Sequence, residues 1–302
     1  MTSSTPERPH FPVRGVAFGL AAAACLSLQD AIIKLLAGDY HILQIIFARA
    51  GVGAVVALGI IYYASNFSAL RPSRPLLVAA RVCFMTIATL CYYISLTFLD
   101  LTAYTCLGLT VFLFIAALSG PILKEKTSGK DWAAVAVGLS GALIVVNPFA
   151  AESVYLPAAL LLLFGAFMWA LGLVATRALG VTMSAAGILF YTNAAVMMLA
   201  VIAQPFVWQT PSASDAMLFL MLSTLGACGQ GCAIAAYRNA RVSAVMPTQH
   251  TMLLWAALLA WLLWDEIPEL RVWFGGALIV GASLSALPKP RRRRNNRAKN
   301  RV

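Results

Sequence analysis

Asp30, Lys34, Arg49, Arg81 and His250 stand inside stretches of sequence that are otherwise apolar. An ionised group at the centre of a bilayer costs about 2.5 kcal/mol or more, so such groups line a cavity or find partners. Asp30 lies six residues before the end of the run Val13–Leu36, and Arg49 seven residues after the start of the run Ile42–Ala64. At about 1.5 Å per helical residue both sit roughly 9–12 Å below the same boundary, which predicts an ion pair between adjacent antiparallel helices. Lys34, one turn beyond Asp30, joins that pair or snorkels outward. Two uses stand open: a fixed tie between helices, or an outer gate and clamp for a zwitterion. With Arg49 beside it, Asp30 is not expected to be a proton carrier, and Asp30→Asn should leave an acid-driven flux unchanged.

His250 follows Pro247 in the segment Thr248-Gln249-His250-Thr251, about eight residues into its run. Hydrogen-bonding groups beside a proline suggest exposed helix backbone or a polar cavity wall, and a histidine satisfied by internal partners fits equally. Tyr92, Tyr93, Trp169, Tyr191, Asn193, Gln230, Gln249 and Trp255 are further candidates, because substrate pockets are mainly apolar with a few placed polar groups. Aromatics of such a chain also pack helices, and those near run ends (Tyr62, Tyr63, Trp208, Trp264) read as interface belts. Arg81, six residues into its run, is expected to snorkel to the headgroups.

The elements that must carry these residues are helices. Ten hydrophobic runs lie between Val13 and Leu287, joined by short connectors. With 61% apolar and only 11% charged residues the composition excludes a soluble domain, and runs near 20 residues satisfy the backbone in lipid as helices. With the N-terminus placed in the cytoplasm, 18 basic residues fall in cytoplasmic segments and only Arg271 on the opposite side. That asymmetry puts both termini in the cytoplasm of a multi-pass protein of a bacterial-type inner membrane. The net charge of +11 is concentrated in the tail that holds Arg291–Arg294, where it meets anionic lipid rather than nucleic acid. All six cysteines fall within the runs and read as small apolar residues. The first run carries Asp30 and Lys34 and is not expected to be a cleaved signal.

The runs also repeat. Phe47 is separated from Phe190 by the same stretch of chain that separates Lys34 from Arg177. The Glu125–Trp132 spacing recurs at Glu266–Trp273, and Leu101-Thr-Ala recurs as Val242-Ser-Ala, both at a second offset slightly shorter than the first. The organisation expected is a cytoplasmic segment (1–12), a first five-span unit (13–147), a second (156–287) and a basic tail (288–302). An odd number of spans per unit inserts the second upside down, the architecture of alternating access around a midplane site.

Ten spans in two similar halves, with glutamates closing the fourth and ninth (Leu123-Lys-Glu125, Trp264-Asp-Glu266), resemble the drug/metabolite transporter superfamily and its EamA family. The segments Leu26–Leu36 and Ile42–Arg49 are similar to bacterial members assigned to metabolite transport. The resemblance implies an all-α membrane fold and a central cavity lined by spans one, three, four, six, eight and nine. It implies amino-acid export first, and uptake of S-adenosylmethionine, riboflavin or a similar metabolite as the alternative. Many relatives carry a proline midway along the fourth span; here Pro121 lies near its end and Pro247 near the start of the ninth. Gly138-Leu-Ser-Gly141 resembles a rhomboid-protease serine signature, but ten duplicated spans do not fit that family, and no enzyme activity or cofactor is expected. The expected partners are a small-molecule substrate and membrane lipid, with the chain acting as a monomer; a non-transporting scaffold is the reading of another class.

Overall fold

The computed structural model describes residues 12–63, 74–123, 129–147, 155–179, 184–240 and 242–285. The basic tail, Arg71, Lys124–Lys126 and Arg241 lie outside the described residues. Alanine-, leucine- and valine-rich runs close every interior backbone bond within their own segment, which yields helices throughout. They are α1 (Pro12–Leu36), α2 (Ile42–Tyr63), α3 (Pro75–Leu96), α4 (Leu101–Gly108), α5 (Val111–Leu123), α6 (Gly129–Val146), α7 (Tyr155–Leu179), α8 (Ala185–Val207), α9 (Ala213–Asn239), α10 (Val242–Gln249), α11 (Met252–Trp264) and α12 (Leu270–Ser285). Seven segments are long and apolar enough to cross a membrane, while α6 and α12 are shorter apolar helices. The protein is multi-pass, and two of the hydrophobic runs each hold two helices. The ninth run divides into α10 and α11, and the fourth into α4 and α5.

Neither break falls at a proline: Pro121 lies within α5 and Pro247 within α10. A threonine hydroxyl marks each break. Thr110 Oγ1 donates to the Leu107 carbonyl, and Thr251 Oγ1 to that of Thr248, each at 2.6 Å. Such back-bonding competes with the helical ladder and bends it. The backbone tightens at both places to bonds spanning three residues, from Thr110 to Leu107 and from Thr251 to Thr248.

The closest packing joins helices distant in sequence: α1 against α9, α3 against α7, α2 against α8 and α6 against α12. α6 crosses α12 at Gly141 and Gly275, where an added Cβ would meet the other glycine's carbonyl oxygen at 2.7 and 2.5 Å. Backbones this close require glycine. α11 ends with Asp265 in the left-handed region (φ 54°), and the Glu266 amide donates back to Ala260. That turn folds Glu266 over the helix end.

Candidate functional site

Half-buried in α1, Asp30 lies within electrostatic reach of Arg49, Tyr92 and Tyr93, yet it does not form the expected ion pair. Among the described residues the ion pairs are Lys34–Glu266 and Arg271–Glu269. The reason lies in the packing: α1 rests chiefly on α9, and α2 on α8 and α9, so the first two helices are not close neighbours. Arg49 instead donates from Nε to Gln29 Oε1 at 3.3 Å, and its guanidinium lies 5.5 Å from the centre of the Tyr93 ring. Gln29, only 3% exposed, also donates to the Tyr93 hydroxyl at 3.5 Å. Its amide occupies the space left by Gly226 on α9, where any Cβ would overlap Gln29 Oε1. A neutral amide and a ring face thus orient the guanidinium without cancelling its charge.

Aromatic rings extend the cluster. Tyr92 meets Trp169 at 5.2 Å and Tyr104 at 5.9 Å, and its hydroxyl donates to the Gly108 carbonyl, at the end of α4, at 3.0 Å. On its other side Arg49 lines a cavity of about 70 Å³ between α2, α8 and α9, together with Asn193, Ser223 and Gln230. Asn193 is 9% exposed and donates to its own helix at Leu189, 2.9 Å away. Asp30, Arg49, Tyr92, Tyr93 and Trp169 therefore form one group, and Asn193 and Gln230 join it through Arg49.

The other candidates lie elsewhere. Lys34 turns from Asp30 to Glu266, with Nζ–Oε2 at 3.4 Å, and stands 4.8 Å from the centre of a Trp264 ring. Arg81 does not snorkel: it is 6% exposed and donates to Thr176 at 2.7 Å and to Thr192, because α7 and α8 pack over its helix and supply hydroxyls. His250, at the break between α10 and α11, is held between the Met246 carbonyl at 3.1 Å and the Ser283 hydroxyl. The carbonyl only accepts, so Nδ1 carries the proton. Ser140 donates to Val137 of its own helix, so no Ser140–His250 pair exists. Gln249 keeps a buried Nε2 without a partner. Tyr191 packs beside Val78, Leu179 and Ile188. Trp255, 39% exposed among exposed Leu254, Leu258, Trp261 and Leu262, lies on the outward apolar face of α11, so its helical phase removes it from the cluster.

Gln29, Tyr104 and Ser223 belong to the site and carry no signal in sequence beyond their neighbourhood. Gln29 adjoins Asp30, but its contact with Gly226 depends on the packing of α9. No group of three or more metal-ligating side chains occurs among the described residues. The arrangement sets a guanidinium and a carboxyl group among aromatic rings.

Known proteins share this layout. A crystal structure superposes with a TM-score of 0.59 at 19% identity, covering 90% of this chain and 96% of its own, which establishes the fold. An S-adenosylmethionine uptake transporter of Rickettsia prowazekii (strain Madrid E) is 24% identical over 90% of this chain and 92% of its own length. A pseudopaline exporter of Pseudomonas aeruginosa (strain UCBPP-PA14) is 24% identical over 90% and 95%. A riboflavin transporter of Vibrio cholerae is 30% identical over 56% of each chain. The model of the EamA-like transporter family matches residues 13–147 and again 156–287, so the broken, multi-pass helical bundle described above belongs to that family.

Proposed function

We propose that this protein is a secondary transporter that carries a small zwitterionic metabolite by alternating access. The observation that carries the reading is Arg49: a guanidinium held by Gln29 and Tyr93, without a carboxylate partner among the described residues, that borders a partly open pocket. It is suited to a cargo carboxylate, and Asp30 with the rings of Tyr92, Tyr93 and Trp169 to a cargo cation. An α-amino-acid head group presents both charges. Amino-acid export and import of an S-adenosylmethionine-like metabolite use that same head group; the relatives named for S-adenosylmethionine uptake favour import. Riboflavin lacks such a head and fits this charge pair less well.

The same reading takes residues 13–147 and 156–287 as inverted five-span repeats. In its support, the start and the end of α7 follow those of α1 at one common offset, and the start of α8 follows that of α2 at the same offset. That offset is the one that relates Lys34 to Arg177 and Phe47 to Phe190. Both bounds of α10 and of α11 follow those of α4 and α5 at the second, slightly shorter offset, as does the start of α12 after that of α6. Exchanging the repeats turns the α1–α9 pairing into α7–α3 and leaves α2–α8 and α6–α12 unchanged. Each tight pair contains a helix from both repeats, so opening is not a separation of two rigid halves. The cavity of about 70 Å³ is smaller than the cargo, and the site must widen as cargo enters.

Proteoliposomes supplied with radiolabelled amino acids, S-adenosylmethionine and riboflavin test the proposal. Saturable flux of a zwitterion that disappears in Arg49→Ala supports it. A membrane scaffold gives no saturable flux for any of them.

A further inference from the structure

One face of the bundle is laced by polar bonds that join residues 34–44 to the second half of the chain. Tyr40 donates to Asp215 Oδ2 at 2.8 Å and accepts from the Ser212 amide at 3.4 Å. Gln44 grips the Gln209 peptide on both sides, donating to its carbonyl at 2.6 Å and accepting from its amide at 3.0 Å. Gln204 donates to the Leu43 carbonyl at 3.3 Å, and Lys34 meets Glu266. Beneath them Tyr40 stands edge-on to Phe219, with ring centroids 5.2 Å apart at 80°, an apolar plug 8% exposed on the Tyr40 side.

Local sequence builds both sides. Ser212 caps α9 by accepting from the Asp215 amide at 3.2 Å, and Asp215 in the first turn faces the positive end of the helix. The Ser212 hydroxyl also donates to Asp215 Oδ2 at 2.6 Å, which fixes the carboxylate that Tyr40 reaches. The hydrogen bond to Asp215 pushes the Tyr40 phenol above its ordinary range, so it remains a protonated donor at neutral pH. Glu266 is delivered by the left-handed Asp265 turn that ends α11.

We propose that Lys34, Tyr40 and Gln44 form a clasp with Glu266, Asp215 and Gln209 that holds this face shut and has to part before cargo passes there. The inference rests on the alternating-access reading, because a bundle that never opens needs no such device. Its chemistry suits a reversible contact. Ser212 and Gln209 are exposed, and Tyr40 and Gln44, buried while the clasp is closed, meet water as the face opens, so no donor is left orphaned. Four separate ties also act together, since each holds the others' partners at close range. The asymmetry of basic connectors assigns this face to the outside.

The test is a distance measurement across the clasp on full-length protein in lipid nanodiscs. Spin labels are placed at Asp39→Cys and Thr210→Cys, both exposed, in a chain whose six native cysteines are replaced by alanine. The clasped protein gives one narrow short distance by pulsed electron resonance. Adding Tyr40→Phe and Lys34→Gln should bring in a second, longer population, at least a third of the molecules. Tyr40→Phe keeps the ring on Phe219, and the single variants Tyr40→Phe and Gln44→Met are read in the same way should the combined variant not purify as a monodisperse species. An unchanged distribution in every disrupted variant overturns the clasp. Flux through the unlabelled protein is measured separately. Flux with unchanged distances sinks the clasp alone, whereas opening distances without flux for any cargo sink the transporter reading alone.

Discussion

In the proposed transport, recognition turns on Arg49. A guanidinium seated on a ring face and an amide oxygen presents its remaining donors as a planar fork to a carboxylate. Arg49→Ala should remove measurable saturable flux, because loss of a charge-assisted hydrogen bond of about 1.5–3 kcal/mol weakens binding of a zwitterionic cargo about 10- to 100-fold, past the concentrations assayed. Arg49→Lys keeps the charge but loses the fork and the stacking, and should recover only part of the affinity. Gln29→Leu removes both of the amide's bonds, to Arg49 and to Tyr93, and should raise KM several-fold with the folded protein intact in a thermal melt. Asp30→Asn should raise the KM of the same cargo several-fold, since Asp30 is proposed to meet its cationic group; an unchanged KM would remove Asp30 from the site. Asp30 and Arg49 are legible in the sequence because helical rise converts residue number into depth. Their partners are not, since depth does not give azimuth: α9 packs against both α1 and α2, and its Gly226 makes room for Gln29. The same gap explains Lys34, which has a carboxylate one turn away in sequence and pairs with one in the second half of the chain instead.

At the scale of elements, a threonine back-bond and not a proline sits at each of the two helix breaks. Thr110→Val with Thr251→Val removes both back-bonds, straightens α4–α5 and α10–α11, and should lower maximal flux several-fold while changing KM less than twofold. A helix-straightening pair of substitutions without effect on flux would leave the breaks as local geometry only. The glycine crossing is a matter of stability. Gly275→Ala forces a methyl to 2.5 Å from the Gly141 carbonyl oxygen, and overpacking of this kind costs about 1–3 kcal/mol. A melting temperature in detergent lowered by several degrees is the expected outcome, and an unchanged one would mean that α6 and α12 separate freely. The long runs are readable as helices because apolar length alone dictates helix in lipid. The α10–α11 break is signalled by Thr248-Gln249-His250-Thr251 beside Pro247, whereas the α4–α5 break at Leu109–Thr110 carries no such signal.

For the whole molecule, duplication is visible in two recurring offsets between like residues, and helix bounds recur at the same offsets. What the offsets do not contain is the interleaving: α1 belongs with α9 and α3 with α7, so motion is shared between repeats rather than dividing them. On the proposed reading such an arrangement exposes one site to each compartment in turn, and that leaves a kinetic signature. Proteoliposomes preloaded with unlabelled zwitterionic cargo should take up the labelled compound several times faster than empty ones, because the loaded site returns more quickly than the empty one. Trans-stimulated, saturable uptake that Arg49→Ala abolishes is the predicted result. Uptake that is absent for every zwitterion tried, or that rises linearly with concentration and ignores preloading, would contradict the account.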